Sequence, residues 1–126
     1  MIVLAALAAV AWHPSPCLDQ TPGGEGRCAE RDLTKAEQGM QMALQQTIGR
    51  LRHCKPINST ACDDMPRAIA LVQAEQRTWK AWRDAHCDTV AFSVEHTSVE
   101  ASVRADCRTE LTTKRTDELV KIGRAK

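Results

Sequence analysis

The stretch "TWKAWRDAHC", residues 78–87, places two tryptophans, an arginine, an aspartate, a histidine and a cysteine within ten positions. The rest of the 126-residue chain is poor in aromatic residues, with no tyrosine and a single phenylalanine. Trp79, Arg83 and Cys87 recur every four residues, which places them on one face of a helix. The spacing predicts a clasp between helices, in which the tryptophan fills the core, the arginine is paired and the cysteine forms a covalent bond.

Apolar residues continue at three- and four-residue steps on both sides of this stretch and predict three principal helices. We place them at about 32–53, 65–94 and 99–122. No alternating strand pattern and no internal repeat is present. The predicted fold class is therefore all-α, and short connections make neighbouring helices antiparallel.

Helix starts are predicted from capping residues. Thr34 with Glu37, and Thr97 with Glu100, have the spacing of a capping box at the first and third helices. Asp63 or Asp64 suits the N-cap of the second helix, and Pro66 falls in its first turn, where proline is tolerated.

The N-terminal part of the chain differs from the helical part. Residues 1–11, "MIVLAALAAVA", form an uncharged apolar run that ends in a small-x-small pattern and predicts a signal peptide cleaved before Trp12. The run lacks a basic start, and an ordinary buried N-terminal helix is the alternative. Residues 12–27 contain three prolines and three glycines and are predicted to form an irregular arm. The helical domain then occupies residues 28–126.

Composition bounds the class of protein. The chain is 43% hydrophobic and 26% charged, with a formal net charge of +1. Its length is that of one domain with one core. These values are typical of a soluble globular protein and argue against a disordered, membrane-spanning or nucleic-acid-binding chain.

Six cysteines, with an export signal in front of them, predict up to three disulfides. Fifteen pairings are possible. Cys54 and Cys62 flank the first turn, and Cys87 and Cys107 each lie about ten residues from the second turn. Local geometry therefore favours these two pairs and leaves Cys17 with Cys28.

The motifs of common catalytic and cofactor sites do not appear in the sequence. It has no P-loop, no G-x-S-x-G, no H-E-x-x-H and no haem motif, and its cysteines and histidines lack the close pairs typical of zinc sites. His86 and Cys87 are neighbours on a helix, where their side chains point about 100° apart and form a poor nucleophile pair. We therefore predict no catalytic residue, no cofactor and no metal.

A bond between Cys87 and Cys107 sets the register of the second and third helices. In that register Trp79 lies opposite Arg115, so the guanidinium is predicted to cover the tryptophan ring and to reach Glu75, Glu118 or solvent. The alternative is that Arg115 only extends its charged end to the surface.

The run "AEQRTWKAWRDAHC" (74–87), a second cysteine at 107 and "TKRTDEL" (113–119) together resemble the lysozyme inhibitor LprI-like family of small exported bacterial proteins. The resemblance covers most of residues 28–122. The matching positions are Gln76, Trp79, Arg83, Asp84, Cys87, Cys107, Arg115, Glu118 and Leu119. Three features depart from the pattern: Trp82 replaces tyrosine or phenylalanine, "EHTS" replaces a glycine-serine turn, and no lipobox is present.

The resemblance implies a periplasmic or secreted helical domain that inhibits host lysozyme, with a lysozyme or another envelope protein as its partner. A cell-envelope structural or interaction module without inhibitory activity is the alternative. C-type lysozymes are strongly basic, so a contact surface is expected to be acidic. Residues 104–126 hold seven basic and four acidic side chains and do not suit that contact.

Two loop tips are the candidate contact surfaces. Asp63 and Asp64, beside the loop closed by the 54–62 disulfide, are the predicted contact, because a closed loop loses less entropy on binding. The tip around Glu95, His96 and Glu100 is the rival. The aspartates alternatively only cap a helix.

Overall fold

The computed structural model describes residues 17, 19, 21, 23–54 and 62–124. It contains three α-helices, α1 (Gly24–Arg52), α2 (Met65–Ala91) and α3 (Glu100–Lys121), and a short 3₁₀ turn, Phe92–Val94. Across the described residues no strand is present. The prediction of an all-α chain with three principal helices is confirmed. The predicted signal peptide lies outside the described residues.

Helix α1 begins at Gly24 rather than at residue 32, so the prediction of an irregular arm is wrong for residues 24–27. Gly23 adopts a φ of 78° at the N-cap, a conformation that glycine enters without cost. Gly24 is also required, because a Cβ there would collide with the carbonyl oxygen of Asp19. Gly23 and Gly24, whose presence contributed to the prediction of an irregular arm, therefore form the start of α1.

The predicted capping boxes are not formed. Thr34 lies inside α1, where its hydroxyl donates to the Glu30 carbonyl at 3.0 Å. At α3 the Glu100 carboxylate accepts from the backbone N–H of His96 at 2.8 Å, and Val99 is the N-cap. The Asp64 prediction is confirmed, because its side chain caps α2 by accepting from the N–H of Arg67 at 3.1 Å.

Three disulfides join the six cysteines. The pairs are Cys17–Cys28, Cys54–Cys62 and Cys87–Cys107, with Cα–Cα distances of 5.4, 5.7 and 5.6 Å. This connectivity confirms the pairing that local geometry favours. The Cys87–Cys107 bond joins the C-terminal end of α2 to the N-terminal half of α3.

Helix α2 runs antiparallel to α3, and α1 runs parallel to α3. The second relation appears in the pairs Gly26 with Ala101 and Thr47 with Leu119, whose numbers rise together along both helices. Helices α1 and α3 form the most extensive contact of the bundle. Their approach is close because small residues, Ala29 and Ala105, are buried between them.

The apolar core lies mainly where the C-terminal halves of α1 and α3 meet the N-terminal half of α2. Its buried members are Met40, Ala43, Leu51, Val72 and Leu119, and a second, smaller cluster comprises Ala29, Leu33 and Ala105. Trp79 packs against the main cluster with part of its ring exposed. No helix in the described ranges is both long enough and apolar enough to cross a membrane.

The two tryptophans of α2 differ in environment, and we expect them to differ in contribution to stability. Trp79→Ala should lower the free energy of unfolding by about 2 to 3 kcal/mol, because the ring packs on the core. Trp82 is 51% exposed and, among the described residues, stacks on His86 alone, with ring centroids 5.2 Å apart. Trp82→Ala should cost less than about 1 kcal/mol. Urea denaturation of both variants compares them directly; equal losses would show that the assignment of Trp79 to the core is incorrect.

Candidate functional site

The residues of the predicted clasp lie together between the helices. They are Gln76, Trp79, Arg83, Asp84, Arg115, Glu118 and Leu119. Arg83 is only 2% exposed. Its Nη1 donates to Thr112 Oγ1 of α3 at 2.8 Å, and its Nη2 lies 3.0 Å from Glu37 Oε1 of α1. Nε and Nη2 also contact Asp84 Oδ1, at 2.9 and 2.8 Å. One guanidinium of α2 thus bonds to both other helices.

Arg115 is the second buried arginine, 4% exposed, and reaches α2 from α3. Its Nε donates to Gln76 Oε1 at 3.0 Å. Its Nη1 donates to Glu75 Oε1 at 3.0 Å and to Glu118 Oε2 at 2.9 Å. Gln76 in turn donates from Nε2 to the Sδ of Met40 at 3.2 Å, which connects this group to α1.

Trp79 has both arginines above its ring. The Cζ of Arg83 lies 5.5 Å from the ring centroid and that of Arg115 lies 5.8 Å away. These distances are within the range of cation–π attraction. The indole therefore gives two buried cations a favourable contact that water no longer provides.

Ion pairs continue from Arg83 along the α2–α3 seam toward the start of α3. Asp84 lies 3.4 Å from Arg108 Nε, and Arg108 Nη2 lies 3.4 Å from Asp88. Asp88 then pairs with Arg104 Nε at 2.9 Å, and Arg104 Nη2 pairs with Glu100 at 2.7 Å. Charges along this seam alternate in sign, so each carboxylate is held by at least one arginine.

The C-terminus of α3 is held by α1. Arg50 Nη2 donates to the carbonyl oxygens of Leu119, Val120 and Ile122 at 3.3, 3.1 and 3.3 Å. The Thr47 hydroxyl lies 2.8 Å from the Leu119 carbonyl and accepts from Arg50 at 2.9 Å. Burial lowers the pKa of Arg50 below its usual value, and the nearby charge of Arg124 adds to this effect. These contacts satisfy carbonyls that a helix end otherwise leaves unbonded.

The α1–α2 end of the bundle carries the aspartates of the predicted contact. Asp64 is engaged as the cap of α2, whereas Asp63 is exposed beside the buried Cys62. Most charged residues around them in the described part of the chain are basic. We call this end the basic end; its described cations are Arg50, Arg52, Arg67, Lys121 and Arg124, and its described acids are Asp63, Asp64, Asp117 and Glu118.

The opposite end carries the α2–α3 connection, residues 92–99, next to the start of α1. A cavity of about 370 Å³ separates the two, with Ser98 on one side and Gly24 and Glu25 on the other. We call this end the acidic end. Its described acids are Asp19, Glu25, Asp88, Glu95 and Glu100, and its described cations are Arg27, Arg104 and Arg108, the last of which contacts Asp88. An ion pair with Arg27 keeps the pKa of Asp19 well below its usual value, so this carboxylate stays ionised.

Glu100 fixes the α2–α3 connection, and its titration is a testable property. Its hydrogen bond from Arg104, followed by that from the His96 N–H, holds its pKa below the ordinary 4.5. A lowered pKa in the folded state means that the ionised form stabilises the fold above pH 4.5 and that this contribution is lost as pH falls through the folded-state pKa. We expect the amide signal of His96 to shift in an NMR titration with a midpoint below 4.5. Glu100→Gln should abolish that shift, and a midpoint above 4.5 would contradict the assignment.

The sequence profile described as "Lysozyme inhibitor LprI" matches residues 17–119, most of the chain. This chain belongs to the LprI lysozyme inhibitor family. An uncharacterized protein of Rhizobium meliloti (strain 1021) is 30% identical to it over 103 residues, which are 82% of this chain and 66% of the relative. The match thus spans slightly less than two thirds of that relative's length. No solved structure gives a significant match.

Within this LprI-family chain, the clasp positions are brought together by the fold, with Leu119 completely buried in the main core. The Arg115 side chain is almost entirely buried, so it does not adopt the alternative arrangement in which it only extends its charged end to the surface. In the described part of the chain, no group of three or more His, Cys, Asp or Glu side chains is arranged to hold a metal ion. The contacts of Glu37, Thr47, Arg50 and Thr112 were missed by the sequence analysis, since nothing in their local pattern marks them.

Proposed function

We propose that this protein is an exported, disulfide-stabilised binding protein that inhibits lysozyme. The observation that carries the proposal is the family match over residues 17–119. Six cysteines paired in three disulfides support export to the periplasm or the outside of the cell, because such bonds persist in oxidising compartments. In this proposal the protein blocks an enzyme by binding it and performs no catalysis itself.

The geometry supports an inhibitor because the scaffold is held by covalent and charged contacts. The Cys87–Cys107 bond fixes α2 on α3, and Arg83 bonds α2 to both other helices. A binding surface on such a scaffold is ordered before the partner arrives, which reduces the entropy lost on binding. A formal net charge of +1 does not favour binding to a basic enzyme. The acidic end, however, offers a negatively charged surface to which such an enzyme is attracted.

The basic end favours a second candidate function. A surface formed by Arg52, Arg67, Lys121 and Arg124 suits an anionic partner in the cell envelope rather than a basic enzyme. In this alternative the protein is a structural or interaction module of the envelope without inhibitory activity.

A turbidity assay separates the two candidates. The purified, oxidised protein is incubated with c-type, g-type and i-type lysozymes, and the clearing of bacterial cells is followed. The proposal expects saturable inhibition of at least one type, strongest at low salt if the enzyme is basic. Unimpaired lysis by all three enzymes, in the presence of protein that melts cooperatively, would favour the envelope module.

A further inference from the structure

Phe92 is the one phenylalanine of the chain, and it is 72% exposed at the acidic end. It opens the 3₁₀ turn that follows α2. Val90 and Val99, on either side of the same connection, are exposed as well. Single exposed apolar residues are normal in proteins, but aromatic side chains are enriched in interfaces, where they supply much of the binding energy.

The connection that carries Phe92 is held in one conformation. His96 adopts a φ of 64°, in the left-handed region that residues other than glycine seldom enter. Its N–H donates to Glu100, and the N–H of Glu95 donates to the Phe92 carbonyl at 3.2 Å. The Thr97 hydroxyl donates to the Val94 carbonyl at 2.6 Å. The turn is thus fixed by its own hydrogen bonds.

The base of the connection is fixed as well. Arg104 joins Asp88 of α2 to Glu100 of α3 at its foot. Cys87, which precedes Asp88 in the chain, is bonded to Cys107 of α3. A partner that contacts the connection therefore pays little entropy to order it.

Charge indicates the kind of partner. Glu95 is exposed at the turn, and its carboxylate lies 3.9 Å from the His96 imidazole. Among the described residues, acids outnumber cations at this end, whereas cations outnumber acids at the basic end. A strongly basic protein is therefore attracted to the acidic end and repelled from the other.

We propose that residues 92–99 are the surface by which this protein docks on a strongly basic lysozyme, with Phe92 as the apolar anchor and Glu95 as the charged contact. The inference rests on the proposed function and names the contact surface that the function requires. It places the contact at the opposite end of the bundle from Asp63 and Asp64.

Inhibition of a basic c-type lysozyme by the full-length oxidised protein tests the inference. Phe92→Ala is expected to weaken inhibition about 10- to 30-fold, the loss typical of an interface anchor. Glu95→Gln is expected to weaken it about two- to fivefold and to reduce its dependence on salt, since a charge at the rim acts mainly on the association rate. Leu71→Ala is the matched control, because Leu71 is an apolar residue in the N-terminal half of α2 with 60% exposure, away from the 3₁₀ turn that carries Phe92; inhibition should be unaffected. Melting temperatures of all variants exclude loss of folding as the cause.

Three results would overturn the inference. If Phe92→Ala inhibits as well as the parent while an Asp63→Asn, Asp64→Asn variant is weakened, the contact is at the basic end and the proposed function stands. If the parent forms a dimer that Phe92→Ala dissociates, with inhibition unchanged, the surface binds a second copy. If the parent inhibits no lysozyme, the proposed function fails, and this inference fails with it.

Discussion

Arg83→Ala is expected to lower the free energy of unfolding by about 3 to 4 kcal/mol. The substitution removes the hydrogen bond to Thr112 and leaves that fully buried hydroxyl without its donor. It also removes one of the two cations over Trp79 and the partner that Glu37 and Asp84 share. These two carboxylates are each more than a third exposed, so water offsets part of their loss and the expected cost stays below that of a fully buried pair.

Urea denaturation followed by circular dichroism measures this loss, and Arg83→Lys is its control. Lysine keeps the positive charge but lacks the planar fork that bonds Thr112, Asp84 and Glu37 at the same time. We expect the lysine variant to lose about half as much stability as the alanine variant. If alanine at this position costs less than about 1 kcal/mol, the arginine does not hold the helices together.

Replacing Cys87 and Cys107 together with alanine is expected to lower the free energy of unfolding by about 3 kcal/mol. The bond closes a loop with a sequence separation of 20, and removing it restores chain entropy to the unfolded state. It also fixes the register in which Arg83 meets Thr112 and Trp79 meets Arg115. The melting temperature is expected to fall by about 10 °C in a thermal scan.

A matched control is the double alanine variant of Cys17 and Cys28, whose bond has a sequence separation of 11. This bond ties the segment before α1 to the second turn of that helix and does not join two helices, so its loss should cost less. If removing this bond lowers the free energy of unfolding more than removing Cys87–Cys107, the disulfide at the start of α1 contributes more to stability than the one between α2 and α3.

The sequence predicts the α2–α3 seam well because two signals of different kinds agree there. The four-residue spacing of Trp79, Arg83 and Cys87 defines a face of α2, and the partner cysteine at 107 defines what that face meets. Disulfide bonding adds a distance restraint that helical periodicity alone cannot give. For this reason the position of Arg115 over Trp79 can be predicted from the sequence, by aligning α2 and α3 on the Cys87–Cys107 bond.

The contacts of α1 are harder to predict from sequence. The early start at Gly24 depends on the packing of Ala29 and Leu33 against Ala105, a contact between residues far apart in the chain, which outweighs the low helix propensity of glycine. The pairing of Glu37 with Arg83 depends on how α1 lies across α2, and no local pattern encodes that angle. Likewise, the role of Arg50 at the end of α3 requires the parallel arrangement of α1 and α3.

For candidate contact residues, the sequence shows where carboxylates occur but not which charges surround them in the fold. Asp63 and Asp64 are adjacent and acidic, which makes them conspicuous in the sequence, yet in the fold they lie among the cations of the basic end. Glu95 and Phe92 are isolated in the sequence. Glu95 already belongs to the rival tip that the sequence predicts, whereas Phe92 becomes a candidate only when the fold places it, exposed, at the end of the bundle where acids prevail.

Hydrogen–deuterium exchange of the free protein and of its mixture with a basic c-type lysozyme tests the central claim, that this LprI-family protein docks on the enzyme through its acidic end. We expect slower exchange at residues 92–100 when the enzyme is present, and no change at residues 62–68. Unchanged exchange throughout the protein at a saturating enzyme concentration, or slower exchange confined to residues 62–68, would contradict it.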